Sequence, residues 1–426
     1  MKWSSSKIVP WLAVATAQQA RSHSIFTTLF VDEVSQGDGT CVRMNPSPEH
    51  CTDPIPDLAS KDMACGIGGG TPVAFTCPAA AGSKLTFQWR LWANAEKPGV
   101  IDKSHMGPCA IYAKHLDSMD TGTAAGDGWI KLWHEGYDSA SGKWCTEKLI
   151  DNEGLLSINL PAGLTAGNWL FRPELLALQN VAQNDPQFYV GCAQVFVESS
   201  VTEPLDVPAK YKVSIPGHVE QGHPSTTFDV WNPKFPYTMP GPDVFVVPAP
   251  PATASSGGRG ATSNSTPVMK QSAGQIPAKA ISKNANWVGF EVPSFTNEDG
   301  CWKATENCWQ QCEACYADAP VTGNANCQVF EEKCTGLNAA CEAGNFRGPK
   351  NAGAKLQSAD PAPPEWFPPA VNEGAGTGGG ASDGGDDGEE GNDDDEENAV
   401  VVTPPAAAVT VTVTVTAHAS RATGSA

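Results

Sequence analysis

Between residues 84 and 91 the side chains alternate. Leu85, Phe87, Trp89 and Leu91 are apolar, while Lys84, Thr86, Gln88 and Arg90 are polar. A period of two is that of a strand with one face in a core. Residues 155–160, 169–178 and 188–197 are further short apolar runs, the last rich in β-branched and aromatic residues. Gly, Pro, Asn and Asp separate these runs, and long helical periodicity is scarce before residue 247. Many short strands with turn signals predict an all-β domain, an antiparallel sandwich, over 23–247. That span is large for a bare sandwich, so long loops are expected, and loops are where sites usually sit.

The pattern changes twice further on. Residues 248–285 are mostly Pro, Ala, Ser and Gly without periodicity and read as a flexible linker. In 286–350, Cys301, Cys308 and Cys315 recur every seven residues, as do Cys327, Cys334 and Cys341. Seven residues are about two helical turns, so each trio lines one helix face. Pro320 and Gly323 lie between the trios and mark a turn. The expected module is a helical hairpin stapled by nested bridges, Cys315 to Cys327, Cys308 to Cys334 and Cys301 to Cys341. Thr335-Gly336 weakens the second helix. Zinc on Cys308, Cys312 and Cys315 is the competing reading. Trp302, Trp309 and Tyr316 share the seven-residue spacing, and core packing is the expected use of them. Residues 351–426 are low in complexity, first Pro/Gly-rich, then acidic, then alternating Val and Thr, and read as a disordered tail.

Charge and cysteine content narrow the setting. The formal net charge of −20 carries no basic nucleic-acid footprint. Lys2 and Lys7 precede the apolar run 8–17, which is the secretory pattern and too short to span a bilayer. Fourteen cysteines behind such a segment read as disulfides of an oxidising compartment. A secreted protein with no membrane span is expected. Asn264-Ser265-Thr266 is the glycosylation sequon favoured. Ala20 and Ser22 stand at positions −3 and −1 of a cut before His23, making 1–22 a signal peptide; cuts before Gln18 or Arg21 compete.

A start at His23 puts an α-amine and an imidazole on one residue. His105, in the stiff segment Ser104-His105-Met106-Gly107-Pro108, supplies a second imidazole. Gln187 and Tyr189 are two apart on a strand and face the same way, with Phe188 opposite. An all-nitrogen donor set suits copper. The amine's free pKa of about 7.7–8.0 makes binding compete with protons, and a neutral phenol is at most a weak axial neighbour. His50, His115, His134, His218, His223 and His418 are read as ordinary surface histidines. Gly66-Ile67-Gly68-Gly69-Gly70 lacks the strand–turn–helix context of a phosphate loop.

At these residues the chain resembles the fungal lytic polysaccharide monooxygenases of auxiliary activity family 9. The carriers are His23-Ser24-Ile25-Phe26, Ser104-His105-Met106-Gly107-Pro108, Arg172-Pro173-Glu174-Leu175-Leu176-Ala177-Leu178, Gln187-Phe188-Tyr189-Val190-Gly191-Cys192 and Tyr237-Thr238-Met239-Pro240-Gly241-Pro242, in that order. The resemblance favours the cut before His23. It implies an immunoglobulin-like sandwich with one copper ion on a flat face. His23 would bind through amine and ring, and His105 through its ring. Tyr189 would be the axial neighbour and Gln187 the hydrogen-bonding glutamine. Cys65 and Cys192 match a common disulfide, and Tyr237 sits where the family offers an aromatic to a sugar ring. The cysteine-rich module resembles extensions on some members. The implied activity is oxidative cleavage of β-1,4-linked glucan such as cellulose by a monomeric enzyme. Hydrogen is removed at C1 or C4 with an external electron donor and oxygen or hydrogen peroxide. One position departs: where members usually carry a histidine near the metal, this chain has Gln179, which can hydrogen-bond but cannot deliver a proton. The alternative is a copper- or polysaccharide-binding protein that has lost turnover.

Overall fold

A computed structural model describes residues 23–250, 268–269, 274–275, 279–358 and 364–373. The signal segment 1–22, Asn264 and His418 lie outside the described residues. The sandwich strands used below are β1 (Ile25–Val31), β2 (Phe75–Ala80), β3 (Lys84–Arg90), β4 (Cys109–Leu116), β5 (Gly126–Glu135), β6 (Leu155–Asn159), β7 (Gly167–Asn180), β8 (Asp185–Val190), β9 (Cys192–Glu198) and β10 (Lys212–Ile215). One sheet runs β6–β3–β1 and the other β10–β5–β4–β7–β9–β2, with β8 hydrogen-bonded to the far half of β7. The pairings are antiparallel except β9 with β2. The expected all-β sandwich is therefore present, with one parallel pair in it.

The alternation read in β3 sets the core. Leu85, Phe87 and Trp89 are buried among Phe26, Leu29, Ile111 and Phe171 between the sheets, while Leu91 falls beyond the strand. The larger sheet is buried on its outer face too. There Tyr112, Trp129, Leu170, Leu176 and Phe188 pack under long loops. That second core explains how a sandwich absorbs so long a chain. Disulfides tie the loops down: Cys65–Cys192 as expected, with Cys41–Cys77 and Cys109–Cys145.

Charges are buried in this outer core. Arg172 and Glu174 on β7 form an ion pair at 2.6 Å with both side chains essentially dry. Arg172 also donates to the Met63 carbonyl through Nε and Nη2. His218 shares Glu174 at 3.0 Å, so it is a buried partner rather than a surface histidine. Burial alone would raise the Glu174 pKa, but Arg172 and His218 outweigh it and hold the group down at about 2.

The cysteine-rich module is the hairpin foreseen. Beyond the short sandwich helix α1 (Cys145–Asp151), helix α2 (Glu298–Ala317) starts at Asn297, whose side chain accepts from the Gly300 amide, and packs against α3 (Ala325–Glu342). All three nested bridges form: Cys301–Cys341, Cys308–Cys334 and Cys315–Cys327. Bridging of Cys308 and Cys315 takes two of the three ligands from the zinc reading on Cys308, Cys312 and Cys315 and overturns it. The helix runs through Gly336 because rungs at Cys334 and Cys341 hold it on either side. Cys312 is buried beside the rungs and takes no part in them.

Two boundaries move. The linker was expected to reach residue 285, but 280–284 form β11 (Ala280–Asn284), which pairs with β12 (Trp287–Phe290) and belongs to the module. The tail was expected from 351, but 364–373 lie along β6. The Val371 amide donates to the Ser157 carbonyl, Asn372 bonds both backbone groups of Asn159, and Phe367 meets Phe30 at 5.1 Å. Unpaired edge groups on β6 and an open apolar face on β1 explain why this stretch packs. The module is clamped to the sandwich by Asn286. Its Oδ1 accepts from the Cys41 amide at 3.1 Å and its Nδ2 donates to the Gly39 carbonyl at 2.8 Å. Lys283 adds a bond to the Gln36 carbonyl at 2.8 Å.

Replacing Glu174 with Gln leaves Arg172 without its counter-charge and is expected to lower stability by about 3–5 kcal/mol in denaturant titration. In the parent protein the same carboxylate makes stability pH-dependent. Its folded pKa lies below the free value, so its contribution is present above about pH 4.3 and lost as pH falls toward 2. Equal acid profiles for parent and variant would refute this.

Candidate metal centre

His105 lies in the loop entering β4. Its amide donates to the Asp102 carbonyl at 3.0 Å, and the Asp102 carboxylate accepts from the Ser104 amide and hydroxyl. The chain then runs beside β7, with the Leu178 amide on the Met106 carbonyl and the Leu176 amide on the Pro108 carbonyl. A Cβ on Gly107 would stand 1.9 Å from the Leu176 carbonyl oxygen, so the close approach that seats His105 requires glycine.

The β7–β8 hairpin supplies the next three groups. Leu175 faces Tyr189 and Ala177 faces Gln187 across the pair. As the two-residue period predicts, Gln187 and Tyr189 project together: the Tyr189 hydroxyl donates to Gln187 Oε1 at 2.8 Å. Phe188 points the other way, into the outer core. Gln179 Nε2 donates to the same Gln187 oxygen at 2.7 Å, and Gln187 Nε2 donates to Asp185 at 2.8 Å. The Tyr189 phenol is neutral, because burial, then Asp185 and Asp53, push its pKa far up.

His23 precedes β1 and completes the cluster. Its ring centroid is 5.7 Å from that of His105 and 5.8 Å from that of Tyr189. His105 Nε2 is buried and has no hydrogen-bond partner in the protein. A buried ring nitrogen with no partner is costly unless something else engages it. Two facing imidazoles with one such nitrogen fit a metal that prefers nitrogen donors. Burial, and then His23, lower the His105 pKa to about 4, so the ring is neutral and its lone pair available. Among the described residues no group of three or more His, Cys, Asp or Glu side chains is placed to hold a metal. The donors here are therefore the imidazoles, together with the His23 amine if the mature chain starts there.

Two neighbours escaped sequence reasoning, and one expected neighbour is placed differently. Asp53 Oδ1 stands 3.4 Å from His23 Nδ1, and its other oxygen accepts from the exposed His50 at 2.8 Å. Nothing in Cys51-Thr52-Asp53-Pro54 signals that placement. Trp231 is 62% exposed, and its indole N–H donates to the Gln179 carbonyl at 3.0 Å. A lone tryptophan in the polar turn Asp229–Asn232 was the available signal. Tyr237, expected to offer its ring to a sugar, is instead packed between Trp144 and Phe228, with its hydroxyl donating to the Ser225 carbonyl at 2.9 Å. The rings that β-aromatic crowding leaves outward in this region are Trp231 and Phe235.

Comparison with known proteins shows the family. The profile of Auxiliary Activity family 9 (formerly GH61) matches residues 23–238. The AA9 family lytic polysaccharide monooxygenase H of Botryotinia fuckeliana is 47% identical over 341 residues, covering 79% of this chain and 77% of that protein. The AA9 family lytic polysaccharide monooxygenase C of Aspergillus tamarii is 44% identical over 360 residues, 81% of this chain and 92% of its own length. A solved structure titled CvAA9A is 33% identical, covers 52% of this chain and 98% of its own, and superposes with a TM-score of 0.47. The chain belongs to auxiliary activity family 9, the lytic polysaccharide monooxygenases, and carries a cysteine-rich C-terminal extension. Its activity is accordingly oxidative and directed at polysaccharide.

In protein stripped of metal with a chelator, the His105 ring is expected to stay neutral until about pH 4 in an NMR titration. Its pKa is lowered, so the stability it contributes is present above the free-imidazole value of about 6.5 and is lost as pH falls through about 4. Titration at the free value would show a pocket open to water.

Proposed function

We propose that the mature protein begins at His23, is secreted, binds one copper ion and cleaves β-1,4-linked glucan, cellulose above all. The observation that carries this reading is the partnerless buried Nε2 of His105 opposite the His23 ring. The His23 amine and ring and the His105 ring would hold the ion. Bound there, copper supplies one-electron redox chemistry and activation of oxygen or peroxide.

The protein's own groups do the rest. Tyr189 spends its proton on Gln187 and so stands as a neutral neighbour, not an anionic ligand. Gln187 is fixed by three hydrogen bonds, two accepted and one donated. Gln179 keeps a buried Oε1 without a partner, an acceptor that can take a hydrogen bond from an O–H-bearing reactant such as hydrogen peroxide or from water. It cannot give up a proton, and protons must come from solvent. The exposed Trp231 indole beside Gln179 offers a stacking face that would set a sugar against this cluster. In the overall reaction one oxygen atom of dioxygen enters a C–H bond at C1 or C4. The other leaves as water with two electrons from an external donor and two protons. With hydrogen peroxide the second oxygen leaves as water and no further electrons are consumed. The hydroxylated carbon then releases the glycosidic oxygen. No hydrolase-type carboxylate pair is required.

The test is the secreted protein on cellulose with a reductant. Mass spectrometry should show a His23 N-terminus, one copper and oxidised oligosaccharides. An Arg21 or Gln18 start would remove the amine from the ligand residue and overturn the reading. His105→Ala should abolish tight copper binding in calorimetry, while Tyr189→Phe retains it.

Gln179→His restores a protonatable group beside Gln187. It is expected to leave copper bound and raise oxidative turnover by about 10²-fold at most. Equal or lower turnover would show a site adapted to the amide.

A further inference from the structure

The stapled hairpin repeats a dipeptide. Cys301-Trp302, Cys308-Trp309 and Cys315-Tyr316 each place an aromatic directly after a bridged cysteine. On α3 the residues after the cysteines are Gln328, Thr335 and Glu342, so the staples themselves need no aromatic partner. Core packing was the expected use of these rings; Trp309 does pack against the module's core, while Trp302 and Tyr316 stand outward on the flank of α2. Trp302 is 40% exposed, Tyr316 36%, and Trp309 is half-buried between them. The inward stripe is made instead by the cysteines with Ala304 and Thr305.

We infer that Trp302, Trp309 and Tyr316 form a binding ridge for an extended β-1,4-linked glucan chain, a second polysaccharide site away from the metal centre. Seven helical residues advance about 10 Å and lag only about 20° in rotation, so the rings form one row. An extended β-1,4-glucan turns the same sugar face outward at every second residue, and that disaccharide length matches the spacing. The C–H face of each such sugar is apolar and weakly positive, which suits the negative face of an indole or phenol. Exposed Glu306 and Glu313 stand one turn along from the rings, where carboxylates can accept from sugar hydroxyls. The row is also rigid. Disulfides fix the backbone beside each ring, and the Tyr316 hydroxyl donates to Glu331 of α3 at 2.5 Å, so little ordering is left for the ligand to impose.

The choice of β-1,4-glucan rests on the substrate proposed for the metal centre, so the test is run with copper removed. The full secreted chain, in chelator, is titrated onto microcrystalline cellulose and onto granular starch as the α-linked control. Trp302→Ala with Tyr316→Ala, both exposed positions, is expected to weaken cellulose binding about tenfold. Trp302→Phe with Tyr316→Phe should restore most of it. In a separate assay with copper loaded and polysaccharide absent, reductant-driven peroxide formation should be unchanged in both variants. Unaltered cellulose binding in the alanine variant overturns the ridge. So does a loss that phenylalanine fails to rescue, or an equal loss on starch. A failure of the metal-centre reading appears elsewhere, in the N-terminus and the oxidised products.

Discussion

The ion pair between Arg172 and Glu174 is the constraint from which the rest of the site follows. Two charges lie side by side on one strand with no exposure to water, and such a pair tolerates no loss of partner. Meeting that demand draws in the Met63 carbonyl from one loop and His218 from another. The same strand continues into Leu175, Ala177 and Gln179, and its pairing with β8 delivers Tyr189 and Gln187. The loop carrying His105 is then laid against Leu176 and Leu178. A buried electrostatic knot thus fixes the register on which every polar group of the centre depends.

Around the knot, the site is organised by hydrogen-bond counting. Gln187 has its carbonyl oxygen filled by Tyr189 and Gln179, and its amide turned to Asp185. What remains unfilled are His105 Nε2 and Gln179 Oε1, both buried. The polar chemistry of the pocket is complete except at the two atoms an incoming metal and its reactant would reach.

Legibility in the sequence followed the reach of each pattern. Period-two alternation found β3 and put Gln187 and Tyr189 on one side, because that geometry is local. The sevenfold cysteines gave all three rungs, because a helix converts spacing into a face. His23 and His105 were candidates from the cleavage pattern and the stiff loop, but only the resemblance paired them; spacing alone does not bring residues so far apart in the chain together. Asp53, Trp231 and the Tyr237 packing depended on how loops fold over one another, which no local period encodes. The end of the linker was missed for the same reason: β11 exists because β12 pairs with it and Asn286 docks it.

That docking changes what residues 248–279 are for. No described disulfide joins module to sandwich; the Asn286 and Lys283 bonds, the packing of Val288 on the core and the fit of Pro320 against Gly39 do so. The connection is therefore mechanical rather than elastic, and the length of the intervening chain does not set how far the two parts can wander. A protease nick within that stretch would leave two fragments still travelling as one particle. Shortening it outside Val268–Met269, which pair with Phe75 and Thr76 of β2, would leave their mutual orientation untouched until the chain could no longer span the distance.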